Sequence, residues 1–434
     1  MAIVAPNAST STTVSEPSAS YTVPLAVVTT LFFMWGFLTC LNDILVPHLK
    51  PIFDLNYTQI MLIQFAFFGA YFLFSIPSAK IIDWIGYQRS MVVGLLTMGL
   101  GAFLFVPAAS VPSYPLFLMA LIVLAAGITC LQVAANPYVT VLGKSSTASS
   151  RLNLTQAFNS LGTFLAPFFG GLFILTAAPK TIEEIRGMAP DALQAYRLHE
   201  AATVKLPYVG LGIALVLLAI AIGTFKLPKI PQAQHKVGEK VNDSIWKHPN
   251  LIFGAIAIFV YVGAEVSIGS FLVNYFSQPE IGGFTEKVAA TFVAFYWGGA
   301  MVGRFIGSGL LQKVKTGHLL GICAVCAAAL VTISMLTTGH FAMWSIILVG
   351  FFNSIMFPSI FTLGVAELGP LTGDGSGIMI MAIVGGALIP LAQGAVADRI
   401  GIHHAFFLPV ICYLYILFFA LSGSKPNSER NARA

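Results

Sequence analysis

Twelve apolar runs, each long enough to cross a bilayer as a helix, leave this 434-residue chain few ways to fold. They fall at about 22–50, 58–82, 88–109, 115–142, 152–177 and 205–226, then at about 251–277, 288–311, 317–338, 341–364, 375–397 and 404–423. With 57% hydrophobic and only 9% charged residues, no soluble domain of any size fits beside them. Inside hydrocarbon every backbone N–H and C=O must find a partner within the protein, and a helix supplies one for each. An all-α, twelve-span membrane protein is the expected fold class.

The runs divide six and six. Between them Lys226–Asn250 carries five lysines, two acids and three prolines and is unable to span. The expected organisation is a cytoplasmic, disordered tail over 1–21, a six-helix bundle over 22–226, a cytoplasmic linker over 227–250, a second bundle over 251–423 and a cytoplasmic tail over 424–434. The first residues are rich in Ser, Thr and Ala, with no basic stretch before the apolar run, which is unlike a signal peptide. With both termini inside, the inner loops and C-terminal tail hold fourteen Lys/Arg against seven outside, as the positive-inside rule requires. The segment 178–205 is then the main outer loop.

The halves echo each other. Pro137–Gly143 in the fourth run matches Pro358–Gly364 in the tenth, and Gly162-x4-Pro167-x3-Gly171 in the fifth matches Gly385-x4-Pro390-x3-Gly394 in the eleventh. Parallel six-helix repeats with a substrate site between them are one way transporters are built; chance likeness among Gly- and Pro-rich helices is the competing reading. Gly299, Gly303 and Gly307 lay a smooth strip on the eighth run, for sliding or for static close packing. Prolines in the fourth, fifth, tenth and eleventh runs remove backbone hydrogen bonds and bend the helices.

Ionisable groups deep in a membrane are costly and so mark candidate sites. Asp43 in the first run and Glu265 in the seventh are the candidate proton-coupling carboxylates. A carboxylate capping a helix break is the bland alternative for Asp43. Arg304 in the eighth run reads as a structural partner that snorkels to the inner edge. Gln132 and Asn136 share one helix face, as do Asn153, Gln156 and Asn159. Their amides, with Asn42 beside Asp43, offer the donor–acceptor pairs that sugar hydroxyls need, or else tie neighbouring helices together. Trp35, Tyr296 and Trp297 are candidate stacking surfaces for a sugar ring, although an aromatic residue in such a run more often serves packing.

Other chemistry finds no footing. There is no Walker A loop for ATP, no nucleophile–base–acid set and no metal-ligand cluster, so neither an enzyme nor a metal or organic cofactor is expected. The Cys323-x-x-Cys326 pair lies in an apolar helix and reads as packing, as do Cys40, Cys130 and Cys412. The net charge of +5 comes from residues between apolar runs and implies no nucleic-acid partner. Membrane lipid and a small polar solute are the partners expected, with the chain acting as a monomer. The short tails argue against a sensor with a signalling domain, and the amide stripes against a drug or organic-anion carrier.

The segments WGFLTCLNDILVPHLK (35–50), LQVAANPYVTVLG (131–143), RLNLTQAFNSLGTFLAP (151–167), YVGAEVSIGSFLVNY (261–275) and NSIMFPSIFTLGVAELG (353–369) resemble the fucose–galactose–glucose/proton symporter family of the major facilitator superfamily. The resemblance covers all twelve runs. It implies proton-coupled hexose uptake by alternating access across a bacterial inner membrane, and it places Asn274 among the sugar contacts. Asp83, Gly86 and Arg89 resemble the superfamily's gating-loop signature in worn form, and Asp398–Gly401 repeats part of it on the outer side. The fucose branch has a glutamate where this chain has Gln132, a tyrosine at Phe357 and an amide at Glu265. These departures resemble the glucose/galactose branch. L-fucose symport and facilitated diffusion without a proton remain the alternatives, because Gln132 holds a hydroxyl without ever releasing a proton.

Overall fold

In the computed structural model the described residues are 21–53, 57–111, 113–173, 187–203, 205–230 and 243–426, with side chains at 39, 41–53, 57–61, 64, 167–173, 197 and 199–203 not described. The first half contains α1 (Thr22–Phe53), α2 (Tyr57–Ser110), α3 (Tyr114–Val141), α4 (Ala148–Phe173), α5 (Pro190–Thr203) and α6 (Lys205–Thr224). The second contains α7 (Pro249–Phe276), α8 (Glu286–Leu310), α9 (Thr316–Leu336), α10 (Gly339–Asn353), α11 (Met356–Gly364), α12 (Thr372–Met381), α13 (Gly385–Ile400), α14 (Ile402–Ala405) and α15 (Phe407–Phe418). No strand occurs among the described residues.

Twelve crossings result. The second and third apolar runs join as α2, which turns a corner at Gly86 (φ 79°, ψ 168°). Gly401, in the related Asp398-Arg-Ile-Gly401 string, has nearly the same conformation (φ 84°, ψ 154°) at the end of α13. Only glycine reaches that region without strain, so both strings need their last residue. The tenth run is α10 and α11 in series, broken at Ser354–Ile355, and the eleventh is α12 and α13 joined by a 3₁₀ turn, Ala382–Val384. The segment 178–205, expected as a loop, is not wholly one. Pro190 at its first position and Asp191 in its first turn start α5, a helix without the long apolar run that marks a span.

Packing repeats between the halves. Helix α1 lies along α4 just as α7 lies along α13. A methyl group on Gly162 of α4 would strike the carbonyl oxygen of Phe33, and one on Gly385 would strike that of Phe259. The repeated glycine therefore permits the same close approach twice. The Gly299–Gly303–Gly307 strip faces the tenth run: a Cβ on Gly303 would come within 2.6 Å of Phe351 O.

The repeated prolines leave carbonyls for other residues to use. Pro137 has no N–H for Val133 O, and the Ser376 hydroxyl of α12 donates to that oxygen from the opposite half at 2.9 Å. Pro358 likewise frees Ser354 O, and Arg304 Nε donates to it at 3.3 Å.

Candidate functional site and its inter-half seams

Among the buried polar side chains two clusters stand out, one in each half. In the first, Gln132 is 2% exposed and Asn136 and Gln156 are buried. Gln132 Nε2 donates to the Tyr71 hydroxyl at 2.8 Å, and Gln156 Nε2 makes a long 3.4 Å bond to Asn136 Oδ1. Gln132 Oε1 and Asn136 Nδ2 are buried without a hydrogen-bond partner. One acceptor and one donor therefore stand open, close to the pattern of a vicinal diol. Such groups are costly to bury empty, so a bound polar ligand or water is what satisfies them.

The second cluster is closed on itself. Asn353 Nδ2 donates to the Tyr296 hydroxyl (2.9 Å), Tyr413 OH donates to Asn353 Oδ1 (2.8 Å) and Tyr261 OH donates to Asn353 O (3.1 Å). The break after Asn353 explains the last bond, since a helix end leaves carbonyls that need other donors. Glu265 lies beside Tyr261, and its Oε1 is buried with no hydrogen-bond partner, 3.9 Å from Arg304 Nη2.

The halves meet along two seams. On the first, α2 packs against α12: Lys80 Nζ reaches Asp374 Oδ1 at 3.0 Å and Asp83 Oδ2 at 3.6 Å, while Gly377 lies against Ala79 and Ser75. On the second, α4 packs against α8 and α11. Ser149 and Thr362 share a hydrogen bond (2.6 Å), Ser150 Oγ donates to Ser308 O (2.7 Å) and Asn153 Nδ2 donates to Arg304 O (2.6 Å). Arg304 Nη1 donates to Ser160 Oγ, and Phe158 packs edge-on to Phe305. Both seams lie at the end of the bundle where α3 turns into α4 and α8 turns into α9.

The amide stripe on α4 separates on this geometry. Gln156 joins the open cluster, Asn153 ties the second seam, and Asn159 Nδ2 donates to Phe32 O on α1 at 2.9 Å. Arg304 does not snorkel to the inner edge: its side chain is 15% exposed and its nitrogens are engaged inside the seam. Tyr296 is fully buried with its hydroxyl in use, so its ring is no open stacking surface. Trp35 is buried against Phe32, with ring centroids 5.0 Å apart. Trp297 is 41% exposed and Asn274 is exposed on α7. Asp83 and Gly86 sit at the first seam, and Arg89 is exposed. Asn42 and Asp43 fall on the backbone of α1, but their side chains lie outside the described residues. The linker 231–242 and the tails 1–20 and 427–434 lie outside them too. All five cysteines are free thiols, and no cluster of three His, Cys, Asp or Glu groups occurs among the described residues.

Sequence reasoning passed over Tyr71, Asn353, Tyr413, Ser160 and Ser376. Asn353 carried a usable signal, as a lone amide inside an apolar run next to the second copy of the proline motif. The tyrosines and serines did not differ from many others of their kind.

Two sets of six crossings, repeated close approaches and polar clusters beside a two-seam interface define a membrane carrier built from parallel repeats. The chain belongs to the Major Facilitator Superfamily, whose family model matches residues 26–389. It is 53% identical over 413 residues to the glucose/galactose transporter of Brucella abortus biovar 1 (strain 9-941), covering 95% of this chain and 97% of that one. It is 36% identical over 415 residues to the L-fucose-proton symporter of Escherichia coli (strain K12), covering 94% of each. A crystal structure of a major facilitator transporter, FucP, in the outward conformation superposes with a TM-score of 0.86 at 34% identity, over 94% of this chain and 100% of that one. These relatives are named transporters, not enzymes.

Proposed function

We propose that this protein carries hexoses, glucose and galactose first, into a bacterial cell by proton-coupled alternating access. The observation that carries this reading is the open amide cluster. Gln132 Oε1 and Asn136 Nδ2 lack partners in a buried site, in a chain with 53% identity to a glucose/galactose transporter. The chain works as a monomer in the inner membrane with both termini cytoplasmic. On that orientation both seams close the cytoplasmic side, and the conformer faces outward. Gln132, Asn136 and Gln156 bind the sugar, and Asn42 is assigned to it on sequence grounds. Asp43 and Glu265 are the proton-carrying groups, since ionisable side chains within membrane spans are rare and mark proton pathways.

Uptake of radiolabelled glucose, galactose and fucose into proteoliposomes, with and without a pH gradient, tests the reading. Concentrative uptake of glucose and galactose that needs the gradient supports it. Asp43→Asn is expected to abolish sugar-driven proton movement while retaining sugar exchange, and full concentrative uptake by that variant removes Asp43 from the mechanism. Facilitated diffusion is the second reading, favoured by an amide at Gln132. It predicts equal rates with and without the gradient.

A further inference from the structure

Arg304 touches both the central carboxylate and the opposite half of the molecule, and nothing else among the described charged groups does both. Its three nitrogens have separate tasks. Nε fills Ser354 O, the carbonyl left open by Pro358. Nη1 donates to Ser160 Oγ on α4, across the seam. Nη2 approaches Glu265 Oε1 at 3.9 Å, within Coulombic range but too far for a hydrogen bond. Its own carbonyl accepts from Asn153, and Gly307, one turn on, brings α8 against that same amide. The guanidinium is thus a strut in the second seam, with Glu265 as its one acidic neighbour at ion-pair distance among the described residues.

We propose that Glu265 and Arg304 form a charge latch through which protonation or ligation of Glu265 releases the cytoplasmic seam between α4 and α8. With Glu265 ionised, the buried guanidinium is compensated and the seam holds. When the carboxylate takes a proton, Arg304 is left as an uncompensated charge away from water. Arg304 recovers hydration only if α4 and α8 part, so proton loading from outside biases the carrier toward opening inside. That is the direction a symporter requires. The other titratable groups around Glu265 are the hydroxyls of Tyr261 on its own helix, Tyr296 on α8 and Tyr413 on α15. All three are neutral donors through this pH range, and only Arg304 supplies a permanent charge.

The inference rests on the carrier reading above, but its test reads conformation rather than flux. Hydrogen exchange, followed by mass spectrometry on the full-length protein in lipid nanodiscs, reports opening at 145–155 and 304–316. Wild type is expected to exchange faster in these segments at pH 5.5 than at pH 8, after correction for intrinsic chemical exchange. Glu265→Gln, a mimic of the protonated form, is expected to exchange at both pH values about tenfold faster than wild type does at pH 8, a coupling typical of linked equilibria. Arg304→Met is expected to abolish the pH dependence. Ser160→Ala retains it, because the Glu265–Arg304 charge pair remains, but starts from a looser seam.

The latch is overturned if Glu265→Gln exchanges like wild type with its pH dependence intact. It is equally overturned if the dependence disappears in Asp43→Asn and survives in Glu265→Gln. Failure of sugar uptake with the exchange pattern as expected would sink the carrier reading and leave the latch standing. Exchange in α6, far from the seam, checks that each variant is folded.

Discussion

The two halves share one architecture, yet their polar cores are finished differently. In the first half one long bond joins Gln156 to Asn136, Gln132 donates to Tyr71, and an acceptor and a donor are left unfilled. In the second half Asn353 sits among three tyrosines with its side-chain oxygen and nitrogen and its carbonyl all occupied. A closed network confers rigidity, whereas an open one is suited to exchange partners with a ligand. On the proposed reading the two clusters have separate tasks: the first presents binding groups, and the second holds the carboxylate and the strut that answers it. Gln393 on α13 is a further buried amide without partners, outside both.

Removing the hub of the closed network is expected to have the largest effect. Asn353→Leu strands the buried hydroxyl of Tyr413 and leaves that of Tyr296 only a long 3.4 Å bond to Glu265 O. At about 1–3 kcal/mol per stranded group, roughly 3 kcal/mol of stability is lost. A thermal-shift measurement in detergent is expected to show a much lower midpoint, while the folded fraction keeps near-normal sugar affinity. A large loss of affinity with an unchanged midpoint would show that the network belongs to the binding site and that the halves are not divided as described.

The converse change comes next in size. Gln132→Leu deletes the open acceptor and the bond to Tyr71 together. Loss of a hydrogen bond to substrate in a buried site is expected to cost about 2 kcal/mol, roughly thirtyfold in sugar affinity. Midpoint stability is expected to change less than in Asn353→Leu, because one unsatisfied oxygen leaves with the side chain. Isothermal titration with glucose and galactose measures the first quantity and thermal shift the second. An unaltered affinity would place the sugar elsewhere.

Much of this was legible from residues alone. Hydrophobic run length gave the crossings, because a bilayer imposes one element length on every segment. The twin proline motifs foretold missing backbone hydrogen bonds, and both freed carbonyls prove to be docking points. Partner choice was not legible. Asn153, Gln156 and Asn159 share a helix face by spacing, but that face is wide enough to meet α8, α3 and α1 in turn, so each amide found a different neighbour. Arg304 shows the same limit. Its place near a helix end suggested an outward-reaching side chain, whereas a proline on another helix had left a carbonyl for it inside. Helix α5 went unseen because a surface helix shows no long apolar run.

The smallest effect gives the sharpest comparison. Tyr413→Phe removes a single hydroxyl from the closed network and leaves its volume unchanged. Asn353 Oδ1 loses its donor, and Asn353 Nδ2 still reaches Tyr296. Hydrogen bonds between membrane helices average about 0.6 kcal/mol by double-mutant cycles, so the midpoint is expected to fall only slightly. Sugar affinity and transport rate are expected to match wild type, because Tyr413 bonds Asn353 and not the open amides Gln132 and Asn136. Combined with Asn353→Leu, the variant should recover part of the lost midpoint, since the hydroxyl stranded by that change leaves with Tyr413. Full additivity in that double variant would mean that Tyr413 acts through another group, and the second half could no longer be described as one closed unit.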